Sequence, residues 1–363
     1  MDDKRLINIF LDLISIEALS GNEKAVFEYA AGFLKRLGYN PREDASAPLT
    51  GGNSGNLLCE FGIGGDMVLL SHMDTARSTK NVKAVITEDK ISSDGSTVLG
   101  VDNRAGMAAL LYAIEKLNNE CIPLKDFTLV FTTHEETTLG GSLNLQLSDR
   151  IKYGFVFDSH LPPGNFISES VGAVVFTVKV IGKASHSGIS PEKGINSISI
   201  AADAISSIKF GKVDPETTAN IGSIHGGSAI NVVPEFTTVE GEVRSFNPER
   251  INEKLQEIQD QFQRAAQKEK GRIEFEYYWD FSPYKHSPKD KVFRIISEVI
   301  TRCGLEAKPQ ISYGGSDANS LNSKGINCVN LGIGAANPHS NDEYIYIADL
   351  YKSSEIAVEL MRK

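Results

Sequence analysis

The stretch V-L-L-S-H-M-D-T, Val68 to Thr75, begins as a short apolar run and ends in a polar cluster. The run has the character of a buried strand in an α/β sheet, and no helix former separates it from His72-Met73-Asp74. Residues two apart on a strand point the same way, so His72 and Asp74 share one face at the strand's carboxyl end. Open α/β sheets place their active sites there. A neutral histidine that binds a metal usually donates its other ring N–H to a carboxylate, and Asp74 is placed to accept it. An isolated H-x-D proves little. The segments around it decide whether it is a site.

Upstream, Leu6, Ile9, Phe10, Leu13 and Ile14 recur at helical spacing. Ser20-Gly21-Asn22-Glu23 reads as a capping box opening a second helix that stops at Gly38. Gly62-Ile63-Gly64-Gly65 leads into a strand rather than a helix, which excludes a dinucleotide loop. Downstream, residues 99–106 open an apolar helix with Asp102 at its start. Asp102 suits an N-cap or a metal ligand, and the two are compatible because a carboxylate has two oxygens. The strand Phe127 to Thr133 runs into His134-Glu135-Glu136. Adjacent acids at a strand end are costly unless a cation or a shared proton offsets their repulsion. If that segment is extended, the two glutamates point oppositely, and one can hold a metal while the other faces a substrate. The strand Tyr153 to Phe157 ends in Asp158, and His339 lies in a polar loop after the strand 327–331. One sheet end thus collects several acids and two histidines.

From Gly172 the pattern changes. A strand near 174–181, a helix 191–208, strands near 218–225 and 235–246, a charged helix 248–268 and a strand near 272–279 follow in turn. That order, β-α-β-β-α-β, is the split ferredoxin-like unit. The expected division is residues 1–171 with 281–363 as one α/β domain, and 172–280 as an inserted α+β domain. A formal net charge of −10 argues against a nucleic-acid partner. Asp2 and Asp3 make an acidic start, unlike a signal peptide or membrane span. Cys59, Cys121, Cys303 and Cys328 lack C-x-x-C spacing and read as reduced thiols of a cytoplasmic protein.

H-x-D at 72–74, G-x-D-x-x-x-G at 100–106, E-E at 135–136, Asp158, S-H-S-G at 185–188 and His339 before Glu343 together resemble a known family. It is the dinuclear zinc exopeptidase family that includes peptidase T, carboxypeptidase G, aminoacylase and succinyl-diaminopimelate desuccinylase. S-H-M-D-T, Asp158 and G-G-S-D at 314–317 are most similar to its peptidase T branch. His134 departs from that branch, which carries an acid before the two glutamates, and Ser159-His160 replaces an expected glycine.

The resemblance implies a zinc-exopeptidase-like α/β catalytic domain with an inserted ferredoxin-like lid or dimerisation domain. It implies that His72 and Asp158 hold one zinc, Glu136 and His339 the other, with Asp102 bridging through a cis peptide to Asn103. Asp74 would orient His72, and Glu135 would be the general base toward a water between the metals. His186 would hold the developing oxyanion. Asn231 and Arg244 would grip the substrate backbone and carboxylate, although Arg244 equally suits a pair with an acid on its own sheet. Glycines 172, 182 and 271 near the domain borders suit a hinge.

Three carboxylates and two neutral imidazoles around two divalent cations leave one net positive charge, which one hydroxide neutralises. Two metals about 3.5–4 Å apart lower the pKa of water and clamp attacking and carbonyl oxygens. Oxygen and nitrogen ligands suit zinc, with manganese or cobalt as substitutes. The implied activity is cleavage of short peptides by an aminopeptidase. The alternative is an amidohydrolase of N-acyl amino acids or a carboxypeptidase G-like enzyme. Neither a nucleic-acid nor a membrane partner is expected, and a homodimer through the inserted domain is.

Overall fold

The computed structural model describes residues 4–363; the acidic opening residues Asp2 and Asp3 lie outside the described residues. The chain divides into two compact units. The first comprises the described residues through Glu169, then Lys285–Ser312 and Ser316–Lys363; the second comprises Ser170–Tyr284 with Tyr313–Gly315.

At the centre of the first unit four parallel strands stand in the order Phe127–Thr132, Met67–His72, Tyr153–Ser159 and Asn327–Gly332. Antiparallel strands Leu57–Phe61 and Asn165–Ser170 flank them. Every residue of Met67–His72 is buried, as a strand covered on both faces requires. His72 pairs in register with Thr132, and Gly332 with Ser159, so the carboxyl ends of the four strands line up. The helix Val101–Asn119 is apolar on most of its surface and buried accordingly, against the sheet and the helices Lys4–Ile14 and Ile347–Met361.

Two local expectations fail here. The second helix, Lys24–Arg36, takes no side-chain cap from the Ser20–Glu23 segment. Both residues are engaged by the site instead. Glu135 and Glu136 are not extended either: they open a helical turn, Glu135–Thr138, after His134 at φ 53°.

In the second unit the strands Gly172–Ile181, Thr217–Gly226, Phe236–Ser245 and Arg272–Phe281 pair antiparallel in the spatial order fourth, first, third, second. The helices Ser197–Ser206 and Pro248–Lys268 pack on this sheet, completing the β-α-β-β-α-β unit. Its core is its own, built around Val174, Phe176, Ile200, Ile258 and Phe262. The expected helix from Pro191 is broken, because Ile195 exchanges backbone hydrogen bonds with Lys183 and is held extended. Asn196 then caps the helix proper, accepting from the Ser199 N–H. The border glycines are explained by close approach rather than freedom: a Cβ on Gly182 would lie 2.0 Å from the Ile195 carbonyl oxygen.

Candidate metal centre

His72 ends its strand pointing Nε2 at two carboxylates, 3.0 Å from Asp102 Oδ1 and 3.1 Å from Asp158 Oδ1. His339 Nε2 lies 3.3 Å from Asp102 Oδ2 and 3.0 Å from Glu136 Oε2. Two ligand groups result, His72–Asp102–Asp158 and Asp102–Glu136–His339, and they share Asp102. Each oxygen of Asp102 faces one imidazole. Glu135 belongs to neither group; its Oε2 is 3.9 Å from His72 Nε2.

Asp74 lies behind His72. Its Oδ1 is 3.2 Å from His72 Nδ1 and accepts from the Glu135 N–H, while Oδ2 accepts from the Glu136 N–H and the Ser20 hydroxyl. One buried carboxylate therefore orients an imidazole and caps the turn that carries both glutamates. Glu23, also buried, accepts from the Gly21 and His134 N–H groups and fixes the start of that turn. Arg104 is buried and donates to the Met73 carbonyl, and its charge counters Asp74 and Glu23.

Asp158 is held by two amides: Asn103 Nδ2 donates to Oδ1 at 2.9 Å and Asn330 Nδ2 to Oδ2 at 3.1 Å. The Asp102–Asn103 peptide is cis, as the resemblance implies. The flanking glycines have steric reasons. Gly100 adopts φ 82°, where a side chain is strained. A Cβ on Gly106 would sit 2.2 Å from the Phe157 carbonyl oxygen and 2.4 Å from Asn103 Oδ1.

Crowded acids shape the electrostatics. Burial, then Asp158, pushes the Glu135 carboxyl well above the carboxylate range, and burial with Asp102 raises Glu136. Hydrogen bonds with Asp102 and Glu136 raise His339 to about 10. Burial alone would lower His72, yet Glu135 and the surrounding carboxylates raise it. Divalent cations relieve this repulsion and take the place of the imidazole protons. The donor set, oxygens and imidazole nitrogens without thiolate, fits zinc, manganese or cobalt.

The structure thus brings together His72, Asp74, Asp102, Glu135, Glu136, Asp158 and His339. His186, Asn231 and Arg244 belong to the second unit. There Gly188 N–H donates to His186 Nδ1, which leaves the neutral ring's proton on Nε2, and the Ser187 N–H donates to the Asn231 carbonyl at 3.0 Å. Arg244 pairs with Glu242 at 2.9 Å and lies over the Phe281 ring. Sequence reasoning missed Ser20, Glu23, Asn103, Arg104 and Asn330 as supports. Only Asn103 carried a signal, its place beside Asp102 in the G-x-D-x-x-x-G string.

Comparison with known proteins agrees with this geometry. The family model "Peptidase dimerisation domain" matches residues 168–273, and "M42 glutamyl aminopeptidase" matches residues 81–170. The uncharacterised protein YqjE of Bacillus subtilis is 33% identical over 100% of this chain and 99% of its own length. A tripeptidase structure from Staphylococcus aureus superposes with a TM-score of 0.93 at 33% identity, covering 99% of this chain and 98% of that one. An aminopeptidase PepT structure from Bacillus cereus gives 0.90 at 30% identity, covering 99% and 98%. A mixed α/β unit with paired imidazole–carboxylate groups, joined to an inserted α+β unit of the dimerisation type, is a metallopeptidase architecture. The chain belongs to the M20 family of metallopeptidases, in its peptidase T branch.

Proposed function

We propose that this chain is an aminopeptidase that hydrolyses the amide bonds of short peptides, with zinc at both ligand groups. The observation that carries the reading is the shared Asp102, whose two oxygens face separate imidazoles. The likeness to an aminopeptidase and a tripeptidase supports peptides as the substrate class. When bound, a pair of divalent cations supplies positive charge that acidifies water and polarises a carbonyl. His72 and Asp158 hold one cation, Glu136 and His339 the other, and Asp102 both.

Glu135 is the general base: it stands beside the ligand groups without joining them, free to take a proton from water and return it to the leaving amine. Asp74 keeps the His72 proton on Nδ1, so that Nε2 offers its lone pair. His186, with its proton on Nε2, donates to the developing oxyanion. Asn231 and Arg244 bind the substrate backbone and carboxylate, Arg244 exchanging its Glu242 partner for the substrate. A homodimer through the second unit, in keeping with the family model matched there, and a cytoplasmic place complete the reading.

The test is a turnover screen of the zinc-loaded protein on tripeptides, dipeptides and N-acyl amino acids, with released amine as readout. Peptides, tripeptides foremost, are the expected substrates. Turnover confined to N-acyl amino acids would replace the peptidase reading with a deacylase of the same chemistry.

A further inference from the structure

Glu343 lies four residues beyond His339 and takes no part in either ligand group. Its carboxylate is buried; Oε2 accepts the Gly100 N–H at 2.6 Å and Oε1 the Asp102 N–H at 3.1 Å. Those N–H groups open the helix Val101–Asn119, where Gly100 at the N-cap has no side chain to accept them. An acid is favoured at such a terminus by hydrogen bonding and by the helix dipole. Asp102, the acid in the first turn, is thereby relieved of capping, and both its oxygens remain turned to the imidazoles.

The same side chain fixes the His339 loop. Ala336 and Tyr344 exchange backbone hydrogen bonds at the loop's base, and the Glu343 N–H donates to the Ser340 carbonyl. On the outer side Arg77 Nη1 donates to the His339 carbonyl at 3.2 Å. His339 itself is half exposed, at φ 62°. His72 and Asp158 are instead held by Asp74, Asn103 and Asn330.

We infer that Glu343 is a positioning residue for the Asp102–Glu136–His339 ligand group, with Arg77 as a second, outer contact. One group is then anchored by its own strands, and the other depends on a cap supplied from more than two hundred residues away. The inference rests on the two-cation reading above.

Cobalt(II) titration of chelator-treated protein, followed by calorimetry and visible absorption, tests it without recourse to turnover. Wild-type protein is expected to take up two equivalents; one or none would overturn the two-cation reading itself. Glu343→Gln keeps the side chain's size but turns an NH2 toward a backbone donor. It is expected to weaken the second equivalent roughly 10–100-fold, the usual cost of losing a group that orients a ligand. The first equivalent should keep its affinity and its absorption spectrum. Unchanged binding of both, or equal weakening of both, would overturn the role of Glu343 and leave the two-cation reading standing. If Glu343→Gln does not fold, Arg77→Ala decides. Selective weakening of the second equivalent supports the inference, and its absence overturns it.

Discussion

Glu135 and Glu136 are adjacent in sequence, and a single helical turn sends them to different tasks. Glu136 Oε2 meets His339, whereas Glu135 approaches His72 from outside both ligand groups. Glu135→Ala is therefore expected to retain both metals and lose turnover by 10²–10⁴-fold, the usual contribution of a general base. Metal analysis beside a kinetic assay checks this, and a lost metal would reverse the two assignments. Asp317 gives a pH prediction. Burial pushes its carboxyl from 3.8 up to about 6, so in metal-free protein folding favours the protonated form. The stability this group contributes is present below its unfolded pKa and lost as pH rises through about 6. Asp317→Asn should then exceed wild type by up to roughly 3 kcal/mol at pH 7, with the gain vanishing near pH 4. Urea unfolding at the two pH values measures it. At this scale the ligands were legible because His72, Asp102 and Asp158 stand at the ends of strands or the start of a helix. Their supports were not, since the pairing of Asn330 with Asp158 or Ser20 with Asp74 is created by folding.

The helix Val101–Asn119 approaches the sheet so closely at Gly106 that a methyl group has no room. Gly106→Ala should displace Asn103 and with it one of the two amides on Asp158. Overpacking of this kind typically costs 1–3 kcal/mol, and thermal denaturation with and without cobalt should show lower stability and weaker uptake of the first equivalent. The apolar runs made most elements legible, including this helix and the split β-α-β-β-α-β order. What failed were short polar segments whose hydrogen-bonding partners lie far away. Ser20-Gly21-Asn22-Glu23 has the composition of a capping box, but Glu23 caps nothing on its own helix and accepts from His134 instead. Pro191 to Ile195 has helical promise, but Lys183 claims its backbone.

The two units have separate cores that share no residue, and the ligand groups belong wholly to the first. Cation binding should therefore stabilise the first unit by mass action and leave the second as it was. The single tryptophan, Trp279, lies in a strand of the second unit and reports on it alone. Added zinc is expected to raise the main heat-capacity transition while the tryptophan-detected melting temperature stays fixed; a joint shift would show that the units unfold as one. The inserted arrangement also orders events during synthesis. The second unit has emerged almost complete by Tyr284, with its own core to bury, whereas the first still lacks the strand Asn327–Gly332 and the loop bearing His339. A chain still on the ribosome has His72, Asp102 and Asp158 but neither His339 nor the Glu343 cap. The later of the two ligand groups closes only when nearly the whole chain has been translated, so an unfinished copy cannot assemble the pair of sites with which to cut the peptides around it.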